Sequence, residues 1–163
     1  ETKGGTQGGF AHAIVPIPGP CALTAALSIS GFPTDHFVFM GFPPHKKHRK
    51  AFFQKVAACT DTVAFYESTH RIIKTLEELR AALKCHSDPA LAGEESLKVA
   101  SRDPSSPPEA DPQDDKNNRQ LVVCRELTKM FETIYRGTTE EVLNALKGDT
   151  IKGEFVVVVR GEE

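Results

Sequence analysis

Pro16-Ile17-Pro18-Gly19-Pro20 stiffens the backbone where an apolar run, Ala13-Ile14-Val15, meets a small-residue helical run from Cys21 to Ser30. Each proline fixes its own φ. Each residue before a proline is pushed out of the helical region. Gly19 alone stays free for a positive φ or for close approach by another group. The segment predicts a rigid strand-to-helix elbow with little side chain near Gly19. Such an elbow is either a plain tight turn or a way to bring backbone against a ligand at the carboxyl end of a strand. Its glycine pattern is neither a phosphate loop nor a dinucleotide fingerprint.

Strand and helix signals alternate beyond the elbow. Ile14–Ile17 reads as a short strand and Cys21–Ser30 as a helix ended by Gly31, with Pro33 beyond. His36–Met40 is β-branched and aromatic, hence a strand. His45–Cys59 reads as a helix with Phe52, Phe53, Val56 and Ala57 at core spacing. Thr62–Tyr66 is a strand. Thr69–Leu83 is a helix whose stripe is Ile72, Ile73, Leu76, Leu79 and Leu83, with Ser68 or Thr69 as its cap. Gln120–Cys124 and Phe131–Tyr135 are strands, Thr138–Leu146 a capped helix, and Phe155–Val159 a fully apolar strand suited to a buried position. The fold class is α/β, with a mixed, mostly parallel sheet of five or six strands flanked by helices and joined by crossovers. Gln120–Tyr135 is the stretch that could pair antiparallel.

From Cys85 to Asn118 the chain is rich in Ser, Pro, Asp and Glu and almost free of aromatics. That composition cannot bury enough apolar surface to offset ordering entropy, so it predicts a disordered acidic insertion. Residues 1–12 form a Gly-rich start without an initiator Met, read as a linker or a cut through a longer protein. Residues 13–84 and 119–161 are then one domain, a size suited to 163 residues with a 39% apolar fraction. A net charge of -2 gives no general pull on nucleic acid, so any basic surface must be local. No apolar run approaches the roughly 20 residues that span a bilayer. The four cysteines lack zinc spacing and read as free thiols in a reducing, cytoplasmic compartment, with the mitochondrion as the alternative. No metal is expected: His45 and His48 stand among four cations.

Four clusters carry candidate chemistry. Phe65-Tyr66-Glu67-Ser68-Thr69-His70-Arg71 ends an apolar strand in polar groups at a helix start. Glu67 is there either a proton acceptor or, with Ser68, a helix cap. Arg125-Glu126-Leu127-Thr128-Lys129 repeats the arrangement after another strand, and the two edges converge if those strands point the same way. Its alternative is a solvated turn with a weak Arg–Glu pair. His45-Lys46-Lys47-His48-Arg49-Lys50 places cations at a helix start, against the macrodipole. A bound phosphate would reverse that penalty; a solvated basic face is the other reading. Lys152-Gly153-Glu154 permits close backbone approach before the last strand.

In order along the chain, Ile17-Pro18-Gly19-Pro20-Cys21-Ala22, Ser30-Gly31-Phe32-Pro33-Thr34-Asp35, Gly41-Phe42-Pro43-Pro44 with its basic run, the two polar clusters and Lys152-Gly153-Glu154-Phe155 resemble the carboxyl-terminal part of the ribosomal RNA small-subunit methyltransferase I group, within the tetrapyrrole methylase superfamily. The resemblance implies S-adenosylmethionine-dependent methylation of a ribose 2′-hydroxyl in small-subunit ribosomal RNA, by a two-domain enzyme that is usually a homodimer and has no membrane partner. It implies cofactor contacts at Pro18, Gly19, Pro20, Ala22, Tyr66, Gly153, Glu154 and Phe155. With an RNA substrate, the basic run and the strand-end arginine become the RNA-contact candidates: Lys46, Lys47, Arg49, Lys50 and Arg71. Glu67, Arg125, Glu126 and Lys129 are the catalytic candidates: the glutamates as bases, the cations to position ribose or phosphate. Cys21 replaces the family's usual Ser, and Thr69 a Pro. The family's amino-terminal domain is not in this sequence, so the chain is expected to hold half of the cofactor cleft. Two rivals are a non-catalytic RNA-binding or dimerisation module and a methylase of a tetrapyrrole or a protein.

Overall fold

The computed structural model describes residues 18–86, 119–149 and 151–162. The predicted Gly-rich start, the predicted strand Ile14–Ile17 and the predicted insertion beyond His86 lie outside these residues. The elements in order are α1 (Ala22–Ser30), β1 (Phe37–Phe39), α2 (Arg49–Ala57), β2 (Thr62–Ser68), α3 (Ile72–His86), β3 (Gln120–Arg125), β4 (Thr133–Thr138), α4 (Thr139–Lys147) and β5 (Glu154–Val159).

Local chemistry explains most boundaries. Gly31 ends α1 in the left-handed region, at φ 77°. Thr138 opens α4 with a reciprocal capping box: its hydroxyl accepts from the Glu141 N–H, and the Glu141 carboxylate accepts from the Thr138 N–H. Two helices begin later than their periodicity predicts. His48 sits at φ 64°, so α2 starts at Arg49 and the basic residues 45–48 form a turn before it. β2 runs on through Ser68, and the first helical bond of α3 joins the Thr75 N–H to the Arg71 carbonyl. Ser68 and Thr69 therefore do not cap α3.

Among the described residues the sheet has five strands, in the order β1-β2-β5-β3-β4. It is mixed, as predicted, but mostly antiparallel. Among the described strands only β1 and β2 pair parallel; β5 runs against both β2 and β3, and β3 and β4 form an antiparallel pair. The reason is the return path. The chain leaves β4, crosses in α4 and comes back in the direction of β4, filling the gap between β2 and β3. Hydrophobic periodicity marks a strand and carries no sign of its direction.

Alternation along the strands divides the molecule. Val63, Phe65, Leu121, Val123, Phe155, Val157 and Val159 pack with the apolar stripes of α2, α3 and α4 in one core. Ala64, Val122, Cys124, Val156 and Val158 face the other way and are covered by Ala26 and Leu27 of α1. No helix among the described residues is long and apolar enough to cross a membrane.

Candidate functional site

β2 and β3 point the same way with β5 reversed between them, so their carboxyl ends meet the amino end of β5 at one edge of the sheet. The amino end of α1 arrives at the same edge. Cys21 is extended (φ -135°, ψ 121°) and Ala22 begins the helix, so the first N–H groups of α1 have no partner within the helix. The α1 amino end, the turn after β3 and the start of β5 border a cavity of about 570 Å³ lined by Gly19, Pro20, Cys21, Ala22, Glu126, Leu127, Thr128, Lys129, Glu154 and Val156, among others. A larger groove of about 710 Å³ runs between α2 and α3. Its lining is mostly apolar and lies away from the strand ends; of the predicted site residues only Lys50 borders it.

The turn after β3 is tightly built. Glu126 and Thr128 both take positive φ, 48° and 65°. The Glu126 N–H donates to the Glu154 carbonyl at 3.0 Å, and the Glu154 N–H donates back to Glu126 Oε1 at 2.9 Å. Lys129 Nζ bridges Glu126 Oε1 and Glu154 Oε2, each at 3.0 Å. The Glu154 N–H and then the Lys129 ammonium hold the Glu126 carboxyl below the usual carboxylate range. Hydrogen bonds to Glu126 and Glu154 raise Lys129, which stays cationic at neutral pH. Gly153 makes the arrangement possible. It sits at φ 94°, and a Cβ there would lie 2.3 Å from Cγ of Glu126. Its carbonyl accepts the Thr69 hydroxyl, tying the end of β2 to the start of β5.

Cys21 is exposed at the cavity, and backbone N–H groups of Thr24 and Leu23 lower its thiol. Burial, then the neighbouring Cys21, raises the Tyr66 phenol. Tyr66 thus stands beside the cavity rather than in its lining. All four cysteines are free, and no cluster of three or more potential metal ligands occurs among the described residues.

The structure separates several residues that the sequence groups together. Glu126 and Lys129 line the cavity, with Gly19, Pro20, Ala22 and Glu154; Gly153 supports them and Pro18 is exposed nearby. Glu67, Arg125 and Phe155 face the opposite layer. They follow the alternation of Phe65, Val123 and Val157, and in the sheet register Phe155 lies between Glu67 and Arg125. Phe155 is 1% exposed and belongs to the core. Arg125 pairs with Asp149 at 3.2 Å, and Asp149 also accepts from the Tyr135 hydroxyl.

Glu67 is neither exposed nor a helix cap. Its side chain is fully buried. Oε1 accepts from the Ser68 N–H at 2.7 Å and pairs with Arg71 at 2.8 Å; Oε2 accepts from the Thr75 hydroxyl at 2.6 Å and lies 3.8 Å from Arg49. Both arginines point inward, which corrects their placement on an RNA-facing surface. Arg49 donates to Glu78, the Pro44 carbonyl and Thr75, and its guanidinium lies over the Phe53 ring. Arg71 donates to the Pro43 carbonyl. Lys46, Lys47 and Lys50 remain exposed.

Sequence reasoning missed Arg136. It projects from β4 to the carboxyl end of α1 and donates to the carbonyls of Ser30, at 2.8 Å, and Ile29. A cation on helix-end carbonyls is favourable, and here it fixes the helix whose other end forms the cavity wall. The available signal was alternation: Arg136 lies opposite Val122 in register.

The family model for Tetrapyrrole (Corrin/Porphyrin) Methylases matches residues 9–102. Among curated relatives, Ribosomal RNA small subunit methyltransferase I of Halalkalibacterium halodurans is 35% identical over 150 residues, covering 91% of this chain and 40% of that protein. The protein of the same name from Haemophilus influenzae is 37% identical over 152 residues, covering 91% and 42%. The chain thus spans about two fifths of the length of these relatives. Among solved structures, the cobalamin biosynthetic enzyme cobalt precorrin-4 methyltransferase, CbiF, shares the fold with a TM-score of 0.54 at 15% identity, over 88% of this chain and 50% of that one. The methyltransferase CobJ aligns with a TM-score of 0.50 at 18% identity, over 88% and 49%.

Proposed function

Because the chain belongs to the tetrapyrrole methylase family, we propose that it forms one wall of an S-adenosylmethionine-dependent methyltransferase acting on a ribose 2′-hydroxyl of small-subunit ribosomal RNA. The observation that carries this reading is the meeting of the α1 amino end with the turn after β3 and the amino end of β5 around one cavity holding Glu126, Lys129 and Glu154. Relatives named for small-subunit ribosomal RNA support an RNA substrate over a tetrapyrrole or a protein, and bacterial sources support a cytoplasmic place of action. The part of the relatives beyond this chain would supply the facing wall. Residues 13–84 and 119–161 act as one domain of that enzyme, and the complete enzyme works as a homodimer.

The residues present fit the cofactor. Gly19, Pro20 and Ala22 leave room along the cavity, and a Cβ built on Gly19 meets nothing within 4 Å. The positive amino end of α1 suits a carboxylate. Two carboxylates, Glu126 and Glu154, share the single Lys129 cation, and the net negative charge left on the group suits a cationic ligand. When bound, S-adenosylmethionine supplies an electrophilic methyl group. The work of this chain is to align the acceptor oxygen and keep water away. Lys129 is a cation that holds ribose or phosphate; Glu126, whose Oε1 is taken by Lys129 and the Glu154 N–H, has its other carboxylate oxygen left to orient the acceptor hydroxyl. Glu67 acts at one remove, by holding the strand end that carries Tyr66.

An isotope-edited NMR titration with S-adenosylmethionine tests this. Saturable amide shifts at Gly19–Ala25, Glu126–Lys129 and Gly153–Val156, with a Kd weaker than about 1 μM because one wall is missing, are expected. The absence of saturable shifts at those residues would refute the assignment.

A further inference from the structure

Phe37, Phe39 and Phe42 are 41%, 43% and 60% exposed. Phe37 and Phe39 sit on the terminal strand of the sheet, in register with Thr62 and Ala64, and therefore share the face of Tyr66. The Phe39 ring meets Tyr66 edge-on with centroids 5.0 Å apart, and the tilted Phe42 ring lies 5.5 Å away on the same tyrosine. Neither phenylalanine lines the cavity, whereas Tyr66 lies beside Cys21 at its rim. One tyrosine ring therefore separates the exposed aromatic pair from the cavity.

The segment carrying these rings is held from beneath. The Tyr66 N–H donates to the Gly41 carbonyl at 2.8 Å. The carbonyls of Pro43 and Pro44 each accept from a buried-facing arginine, Arg71 and Arg49, at 3.1 Å. Both arginines converge on Glu67. Phe42 is thus exposed on a loop whose backbone is fixed, and ordering it on binding costs little entropy. Its surroundings are basic. From His36 to Thr60 the sequence has no Asp or Glu and carries Lys46, Lys47, Arg49, Lys50 and Lys55. Arg49 turns inward, while Lys46, Lys47 and Lys50 are exposed on the same loop and helix start. Exposed aromatic rings beside free lysines suit single-stranded nucleic acid: rings take unpaired bases and ammonium groups take phosphates.

We propose that Phe39 and Phe42, braced on Tyr66, form a stacking platform for an unpaired base of single-stranded RNA, with the Lys46–Lys47 turn holding the adjoining phosphates. The proposal rests on the RNA reading above and deepens it: the enzyme would take an unstacked nucleotide, and stacking its base beside Tyr66 brings the attached ribose toward the cavity.

The test is a fluorescence titration of this chain with a short single-stranded RNA bearing one 2-aminopurine, repeated over a range of salt. Wild-type chain should bind and quench the fluorophore. Phe42→Leu keeps apolar bulk without a stacking plane; it should weaken binding about five- to a hundredfold and abolish quenching, leaving the salt slope unchanged. Phe42→Trp should restore both, which separates lost stacking from lost folding. Lys46→Ala with Lys47→Ala should lower the salt slope by about 1.4 and leave quenching at saturation intact. Wild-type affinity and quenching in Phe42→Leu would overturn the platform while leaving RNA binding standing. No RNA binding by the wild type would overturn both. Self-association that Phe42→Leu abolishes, without RNA binding, would make this face a protein interface instead.

Discussion

Replacing Glu67 with Gln preserves shape and removes one charge, and the structure makes this a test of folding rather than of chemistry. The carboxylate accepts from the Ser68 N–H and hydroxyl, Arg71 and the Thr75 hydroxyl, and lies 3.8 Å from Arg49. An amide has one acceptor oxygen and an NH₂ that must donate. If the oxygen keeps the Ser68 and Arg71 bonds, the NH₂ faces Thr75 and Arg49. The Thr75 oxygen already accepts from Arg49 at 2.6 Å, and its own proton then has no acceptor on residue 67. One hydrogen bond to a charged group is lost, at about 1.5–3 kcal/mol. Arg71 also loses its full counter-charge, while Arg49 keeps Glu78 at 2.5 Å. The sum is about 3–4 kcal/mol, within the range of roughly 3–5 kcal/mol for breaking a buried ion pair from one side. For a chain of this size that lowers Tm by about 6–15 °C. Urea unfolding followed by circular dichroism should show a lower midpoint with an unchanged m-value. A loss under about 1 kcal/mol would refute the reasoning, because the buried cluster around Glu67 would then not depend on its charge.

Gly153→Ala should cost at least about 2 kcal/mol and displace Glu126 from Lys129, because the new Cβ falls 2.3 Å from Cγ of Glu126 at a positive φ; loss of the amide shifts that report cofactor binding checks it. Changing Arg136 to Ala should leave the core intact but loosen α1, raising hydrogen exchange of its amides about tenfold or more, because two carbonyls at its carboxyl end lose a cationic donor. Cysteine alkylation should follow exposure and thiolate character: Cys21 first, Cys124 last, read by mass spectrometry of timed digests. Burial pushes the Cys124 thiol up to about 11. A folded-state pKa above the unfolded value means that its contribution to stability is complete below about pH 9 and falls as pH rises toward 11. Between those values the wild type should therefore lose stability faster with pH than Cys124→Ala.

The local physics of this protein is written in its sequence. Gly31 stops α1, Thr138 and Glu141 start α4, and the stripes of α2 and α3 bury the residues their spacing marks. The apolar run Phe155–Val159 is a buried strand because it meets helices on both faces of the sheet. These features depend on residues a few positions apart. What the sequence could not carry is direction and side. β5 lies between β2 and β3 because α4 returns the chain from β4, a long-range choice with no periodic signal. That placement joins the two polar strand ends and puts Gly153 against Glu126. Side was decided by the pleat. Glu67 and Tyr66 are neighbours in sequence, as are Arg125 and Glu126, yet one member of each pair lies at or beside the cavity and the other faces the helical core. A step of one residue reverses a strand side chain, and only the packed helices determine which face is buried deep enough to need Arg49 and Arg71 around a carboxylate.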